Sequence, residues 1–248
     1  MANSEHIQWL KQGAIVWNQW RQKNQSLRPD FNSDYCRGCC LVGAQLSYSN
    51  FHGNDLLRAN LSQAQLIEAN LGNTSLRKAN LSEAQLYKAN LMQSDAREAN
   101  FNRANLRYAD LIKANLSKAQ FIEAELPHTL WIKANLSQTV LIRANLQWAD
   151  FTGASLTGAD LSKADLRGVS FLGADLRGAI LMGSRLDNAL FEEANLQGAN
   201  FTGAYFVKND RSDGFRTVDV TVSSPPADRS LLMSYTSSEQ LNVTQSAS

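Results

Sequence analysis

Residues 59–91 read ANLSQ-AQLIE-ANLGN-TSLRK-ANLSE-AQLYK-ANL, and the spacing of the leucines in this stretch decides the fold. Leu61, Leu66, Leu71, Leu76, Leu81, Leu86 and Leu91 recur every fifth residue. Extended to positions 41–206, the same register gives 34 positions, of which 32 are Leu or Phe, the exceptions being Ala96 and Trp131. Two residues earlier, 25 of 33 positions are Ala, and Asn54 is the clearly polar exception. The residue between them is Asp or Asn in 19 of 33. Phe31 and Cys36 fall on the same phase.

A period of five excludes the common elements. On an α-helix each step of five advances the side chain by about 140° beyond a full turn, so the leucines would scatter around the axis and form no apolar face. In a continuous strand an odd period sends successive leucines to opposite faces. The pattern closes if each unit is a short extended piece with Ala and Leu inward and Asp or Asn outward, followed by a two-residue corner. The exposed Asp and Asn then serve as local acceptors that support the corners.

The runs Ala59-Asn60-Leu61, Ala109-Asp110-Leu111, Ala159-Asp160-Leu161 and Ala199-Asn200-Phe201 resemble the pentapeptide-repeat family, whose motif is A(D/N)LXX. The resemblance covers residues 31–206. It implies an all-β fold: a right-handed quadrilateral β-helix, four units per coil, in about nine coils. At ~4.8 Å per coil the rod is on the order of 40 Å long. The expected organisation is a capping α-helix and lead-in over 1–30, the β-helix over 31–206, and a polar, largely disordered tail over 207–248. The helix is expected over residues 5–25, where Ile7, Leu10, Ala14 and Trp17 share one stripe. It would cover the apolar axis that a solenoid exposes at its end. The Trp-rich lead-in is similar to those of cyanobacterial members. Beyond 206, Thr217 to Val222 could form one strand.

Stacking every fourth unit sorts the core into columns. One reads Phe31, Phe51, Leu71, Leu91, Leu111, Trp131, Phe151, Phe171, Phe191, which predicts an aromatic ladder densest toward the C-terminal end. From residue 153 the second corner residue is usually Gly, whereas earlier it is usually charged or polar, as in Lys78, Glu83 and Lys88. Gly suits a turn with positive φ, so two turn populations are expected.

Composition bounds the function. The chain of 248 residues carries a formal net charge of +1, and residues 31–206 hold 16 acidic and 16 basic side chains. Such balance gives no bulk attraction to nucleic acid or anionic lipid. No secretory signal or membrane span is expected. The three cysteines, Cys36, Cys39 and Cys40, do not read as a disulfide framework and suit a reducing, cytoplasmic setting. Cys36 and Cys39 occupy inward positions; Cys40 points outward. No second Cys or His cluster completes a zinc site. His6, His52 and His128 are far apart in register, and no nucleophile–base grouping or phosphate loop is present. Neither cofactor nor metal is expected.

What remains is surface. One corner ridge stacks Tyr87, Arg107, Tyr108, His128, Trp148 and Arg167, types enriched at interaction hot spots; plain stacking of exposed rungs is the competing explanation. Two aliphatic stripes, one with Met92, Ile112, Leu130, Ile132 and Leu172 and the other with Ile122, Val140, Ile142, Ile180 and Met182, suggest either a protein contact or simple β-propensity. The expectation is a non-enzymatic scaffold for an unidentified protein partner, acting as a signalling or stress modulator, with no nucleic-acid or membrane partner, as a monomer or with weak self-association. The alternative is a DNA mimic that binds DNA gyrase, as some family members do, but that needs an acidic rod. A β-helix enzyme would need clustered carboxylates in a cleft; Glu192-Glu193, the adjacent acidic pair in the coils, lies at outward corners.

Overall fold

The computed structural model describes residues 3–31, 36–208 and 216–219. It is a four-sided coil. Parallel one-residue bridges join each outward position to its counterpart four units later, from Asp30↔Asn50 to Arg185↔Tyr205. Each unit is one side, and four units make a turn with four walls.

One unit shows why the coil holds. The N–H of Leu61 donates to Asn80 O at 2.7 Å and that of Gln63 to Ser82 O at 2.9 Å, both on the following coil. The N–H of Asn60 donates back to Cys39 O at 2.8 Å, and that of Ala64 closes the corner on Leu61 O at 3.1 Å. The fifth N–H, on Ser62, donates instead to a side chain, Oδ1 of Asn60, at 3.2 Å. The recurring Asp/Asn is thus the acceptor that satisfies the last donor of each corner that carries it. Where Gln120 replaces it, Ile122 N–H turns to Oδ1 of Asn102 on the preceding coil, at 2.8 Å.

The second corner residue has positive φ all along the rod. Lys78, Glu83 and Lys88 sit at 57°, 60° and 54°, Gly153, Gly158 and Gly173 at 64°, 65° and 60°. The expectation of two turn populations is therefore corrected: there is one corner. A non-Gly residue in this region costs roughly 1 kcal/mol, and the inter-coil hydrogen bond donated by the same residue offsets it.

The inward Leu, Phe and Ala side chains are buried throughout. Trp131, Phe151, Phe171 and Phe191 stack with centroids 5.4, 5.4 and 5.1 Å apart and planes within 17°. That is the aromatic ladder read from the sequence columns. Phe101 and Phe121 stack at 4.7 Å in the opposite column. The indole of Trp131 places an N–H in the core, and Thr129 Oγ1 accepts it at 2.6 Å while donating to Leu126 O at 2.7 Å.

The single helix expected over 5–25 is two: α1 (Ser4–Lys11) and α2 (Ala14–Lys23). Gly13, at φ 97°, breaks them, a conformation that glycine tolerates without steric cost. Their side chains meet the open edge of the first coil. Trp17 is fully buried against Phe31 and its Nε1 donates to Gln45 O at 2.8 Å. Asn18 accepts from Gln45 N–H and donates to Gly43 O, and His6 Nδ1 accepts from Asp30 N–H. Backbone groups that face a neighbouring coil elsewhere in the rod are met here by helix side chains.

At the other end β1 (Tyr205–Lys208) pairs antiparallel with β2 (Arg216–Asp219), which overlaps the strand expected from Thr217. Of the tail expected to be largely disordered over 207–248, residues 207–208 and 216–219 are strand instead, and 209–215 and 220–248 lie outside the described residues.

The reading of three unpaired cysteines is also corrected. Cys36 and Cys39 form a disulfide, and Cys40 is free and exposed. The physical reason is the corner itself. Residues i and i+3 of a β-turn lie within about 7 Å of each other, Cα to Cα. Here Cys36 and Cys39 have Cα atoms 5.3 Å apart, inside the range a disulfide bridges. Both are half-buried against the core, at the inward positions expected.

Candidate docking ridge

Stacking every fourth unit brings positions 87–88, 107–108, 127–128, 147–148 and 167–168 to one corner. Tyr87 and Tyr108 meet edge to face at 5.7 Å. Tyr108 and His128 lie parallel at 4.9 Å, with 7° between planes. Lys88 Nζ reaches to 5.4 Å from the Tyr87 ring. Next along the corner, the Trp148 indole lies against Gly168 of the following coil and remains 56% exposed. Tyr108 is 49% exposed. The six residues share one corner but make two groups, the Tyr87–Tyr108–His128 stack and the Trp148–Gly168 platform.

The two arginines are tied down. Arg107 Nη2 is 2.9 Å from Glu125 Oε2. Glu125 is available because Pro127, the residue its unit would otherwise serve, has no N–H; its carboxylate also accepts from Asn145 Nδ2 at 3.0 Å. Arg167 Nε donates to Asp165 Oδ1 at 2.7 Å, and Gln147 Nε2 donates to Asp165 Oδ2 at 3.0 Å. Partial burial pulls the Asp165 carboxyl upward, but the hydrogen bonds and charge of Arg167 outweigh it and hold it below the usual carboxylate range.

Two residues of this corner escape a reading of the sequence alone. Tyr48 lies on the same column, 44% exposed, with the Arg28 guanidinium 5.9 Å from its ring centre. Gly168 reads from sequence as a turn glycine; the signal of its second role is the Trp one coil before it. Of the aliphatic stripes, Leu130, Leu172 and Met182 are 38%, 37% and 42% exposed and the others half-buried. Among the described residues no group of three or more His, Cys, Asp or Glu side chains could hold a metal, and no helix is long and apolar enough to cross a membrane.

The model of the pentapeptide repeats matches this chain in 8 copies, over residues 35–64, 59–95, 99–129, 119–158, 144–183 and 184–212. The chain belongs to the pentapeptide-repeat family. Its four-walled coil is the right-handed quadrilateral β-helix of such proteins. Among solved pentapeptide-repeat structures, it is similar to HetL, a protein involved in heterocyst differentiation regulation from the cyanobacterium Nostoc sp. strain PCC 7120. The two are 29% identical with a TM-score of 0.54, over 75% of this chain and 94% of HetL. Rfr23 from the cyanobacterium Cyanothece 51142 is 34% identical over 40% of this chain and 58% of its own, with a TM-score of 0.20. QnrB1, a plasmid-mediated fluoroquinolone resistance protein, is 22% identical over 71% and 86%, with a TM-score of 0.39. No curated protein matches the chain.

Proposed function

We propose that this pentapeptide-repeat protein is a non-enzymatic scaffold of about nine coils, capped by α1 and α2, that docks a regulatory protein on the ridge of Tyr87, Arg107, Tyr108, His128, Trp148 and Arg167. The observation that carries this reading is the Trp148 indole, more than half exposed yet held against Gly168. A pre-ordered aromatic surface binds with little loss of side-chain entropy, which is why rigid aromatics dominate hot spots. Bonded backbone at Trp148 supports the rigidity: its N–H donates to Arg167 O at 2.9 Å. Similarity to HetL, which is involved in differentiation regulation, supports a regulatory rather than catalytic role. In a reducing compartment such as the cytoplasm, the exposed Cys40 stays a free thiol and the Cys36–Cys39 disulfide is a transient state.

Photocrosslinking tests the ridge. A photoreactive residue at position 148 in cells should give a discrete adduct, absent when the same residue stands at position 118 on the opposite corner. Equal adducts from both positions, or none from 148, would refute the assignment.

A further inference from the structure

The Cys36–Cys39 disulfide closes a loop of sequence separation 3, and the coil around it does not depend on it. Cys36 N–H donates to Asp55 O at 3.0 Å, Gly38 N–H to Leu57 O at 2.8 Å and Cys39 N–H to Cys36 O at 3.2 Å, the same bonds that other corners make without cysteine. So short a closure removes little entropy from the unfolded chain. Beside it lies a cavity with room for about one water molecule, lined by Ile7, Leu10 and Lys11 of α1 and by Phe31, Cys36, Phe51 and Asn54. Asn54 is 4% exposed, and its Nδ2 donates to Phe31 O at 2.9 Å. Its Oδ1 is buried and accepts no hydrogen bond among the described residues. A disulfide sulfur has no proton to offer that oxygen.

We propose that Cys36–Cys39 is a reversible redox modification site, opened by a dithiol reductant, whose reduced form is stabilised by a Cys36 S–H donated to Asn54 Oδ1. One thiolate of the reductant attacks a sulfur of the pair. The S–S bond breaks, a mixed disulfide forms, and the second thiol of the reductant displaces it. Two electrons and two protons pass to Cys36 and Cys39, and the reductant leaves as its own disulfide. Reduction thereby satisfies an acceptor that the oxidised state leaves unpaired. Because α1 lines the same cavity, the separated sulfurs and the new hydrogen bond shift the packing of α1 on the first coil.

The test uses the full chain, air-oxidised, titrated with mixtures of reduced and oxidised dithiothreitol, with maleimide labelling read by mass. One label, on Cys40, is expected before reduction and three after. Asn54→Ala, which installs the residue most common in that column, should need about a threefold higher reduced-to-oxidised ratio for half opening. Amide exchange over residues 4–11 should rise on reduction while residues 101–180 stay unchanged, and Cys39→Ser should reproduce the reduced exchange pattern. Three labels on untreated protein, half opening of Asn54→Ala at the wild-type ratio, or a Cys39→Ser pattern matching the oxidised chain would each overturn the proposal.

Discussion

Trp148 covers Gly168, and a methyl group added at Gly168 would overlap the Cε3, Cζ3 and Cδ2 atoms of the indole. Gly178 has a similar φ, 64° against 68°, but nothing within 4 Å of its missing Cβ. Gly168→Ala and Gly178→Ala should therefore share a backbone penalty of about 1 kcal/mol in urea unfolding. Only Gly168→Ala should also displace the indole, seen as altered tryptophan emission. Identical spectra for the two variants would contradict the platform.

Thr129 is the acceptor that lets a tryptophan occupy the aromatic column. Thr129→Val keeps the shape but leaves the Trp131 N–H and the Leu126 carbonyl without their partner, at a cost of about 2 kcal/mol. Combined with Trp131→Phe, which removes the donor and continues the ring stack with Phe151, the penalty of Thr129→Val should shrink. A double-mutant cycle by thermal unfolding measures this; zero coupling would mean the hydrogen bond is energetically silent.

At the N-terminal edge, Trp17→Ala removes a fully buried indole and the donor to Gln45 O, and about 3–5 kcal/mol should be lost. Asn18→Ala exposes no large cavity but strips two backbone groups of their partners, so about 1–3 kcal/mol is expected. In both variants amide exchange should rise first in residues 36–60 and leave residues 141–180 protected. Uniform loss of protection would argue that the coils unfold as one block.

Acid should loosen α1 through His6. Burial pushes its imidazole below the ordinary histidine value of 6.5, and its neutral Nδ1 accepts the Asp30 N–H. Glu5 and Asp30 pull the other way and Arg21 adds to the depression. With the folded value below the unfolded one, the unfolded chain binds more protons as pH falls past the ordinary value. The stabilisation is thus complete above that pH and is lost as pH drops toward the folded value. Amide exchange in residues 4–11, corrected for intrinsic rates, should rise between pH 7.5 and 5.5 in wild type. In His6→Ala it should be fast and pH-independent; a flat wild-type profile would refute the linkage.

The five-residue phase made the inward and outward sides legible, and stacking the units in fours placed both the aromatic ladder and the ridge. Its failures were local. Gly13 was visible, but nothing in the apolar stripe said that the helix breaks there. Lys78 and Gly153 look like different corner chemistries, yet both obey the same hydrogen-bond ladder, which overrides the residue's own preference. The Cys36–Cys39 bridge followed from a corner geometry that the repeat itself implied. The contacts of His6, Trp17 and Asn18 with the first coil pair residues 24 to 28 positions apart outside any repeat, where periodicity carries no information.

The four-unit spacing of the bridges makes the ridge a matter of arithmetic. Adding or deleting one unit anywhere between Tyr108 and Trp148 would leave every core column filled, since all four carry Leu or Phe. It would nonetheless rotate everything downstream by a quarter turn and split Tyr108 from Trp148 onto different walls. Whole-coil changes would lengthen the rod and keep the ridge continuous. Members of such a lineage can therefore drift in length by fours of units while keeping one surface, and a lone inserted unit is a way to scramble recognition without harming the fold.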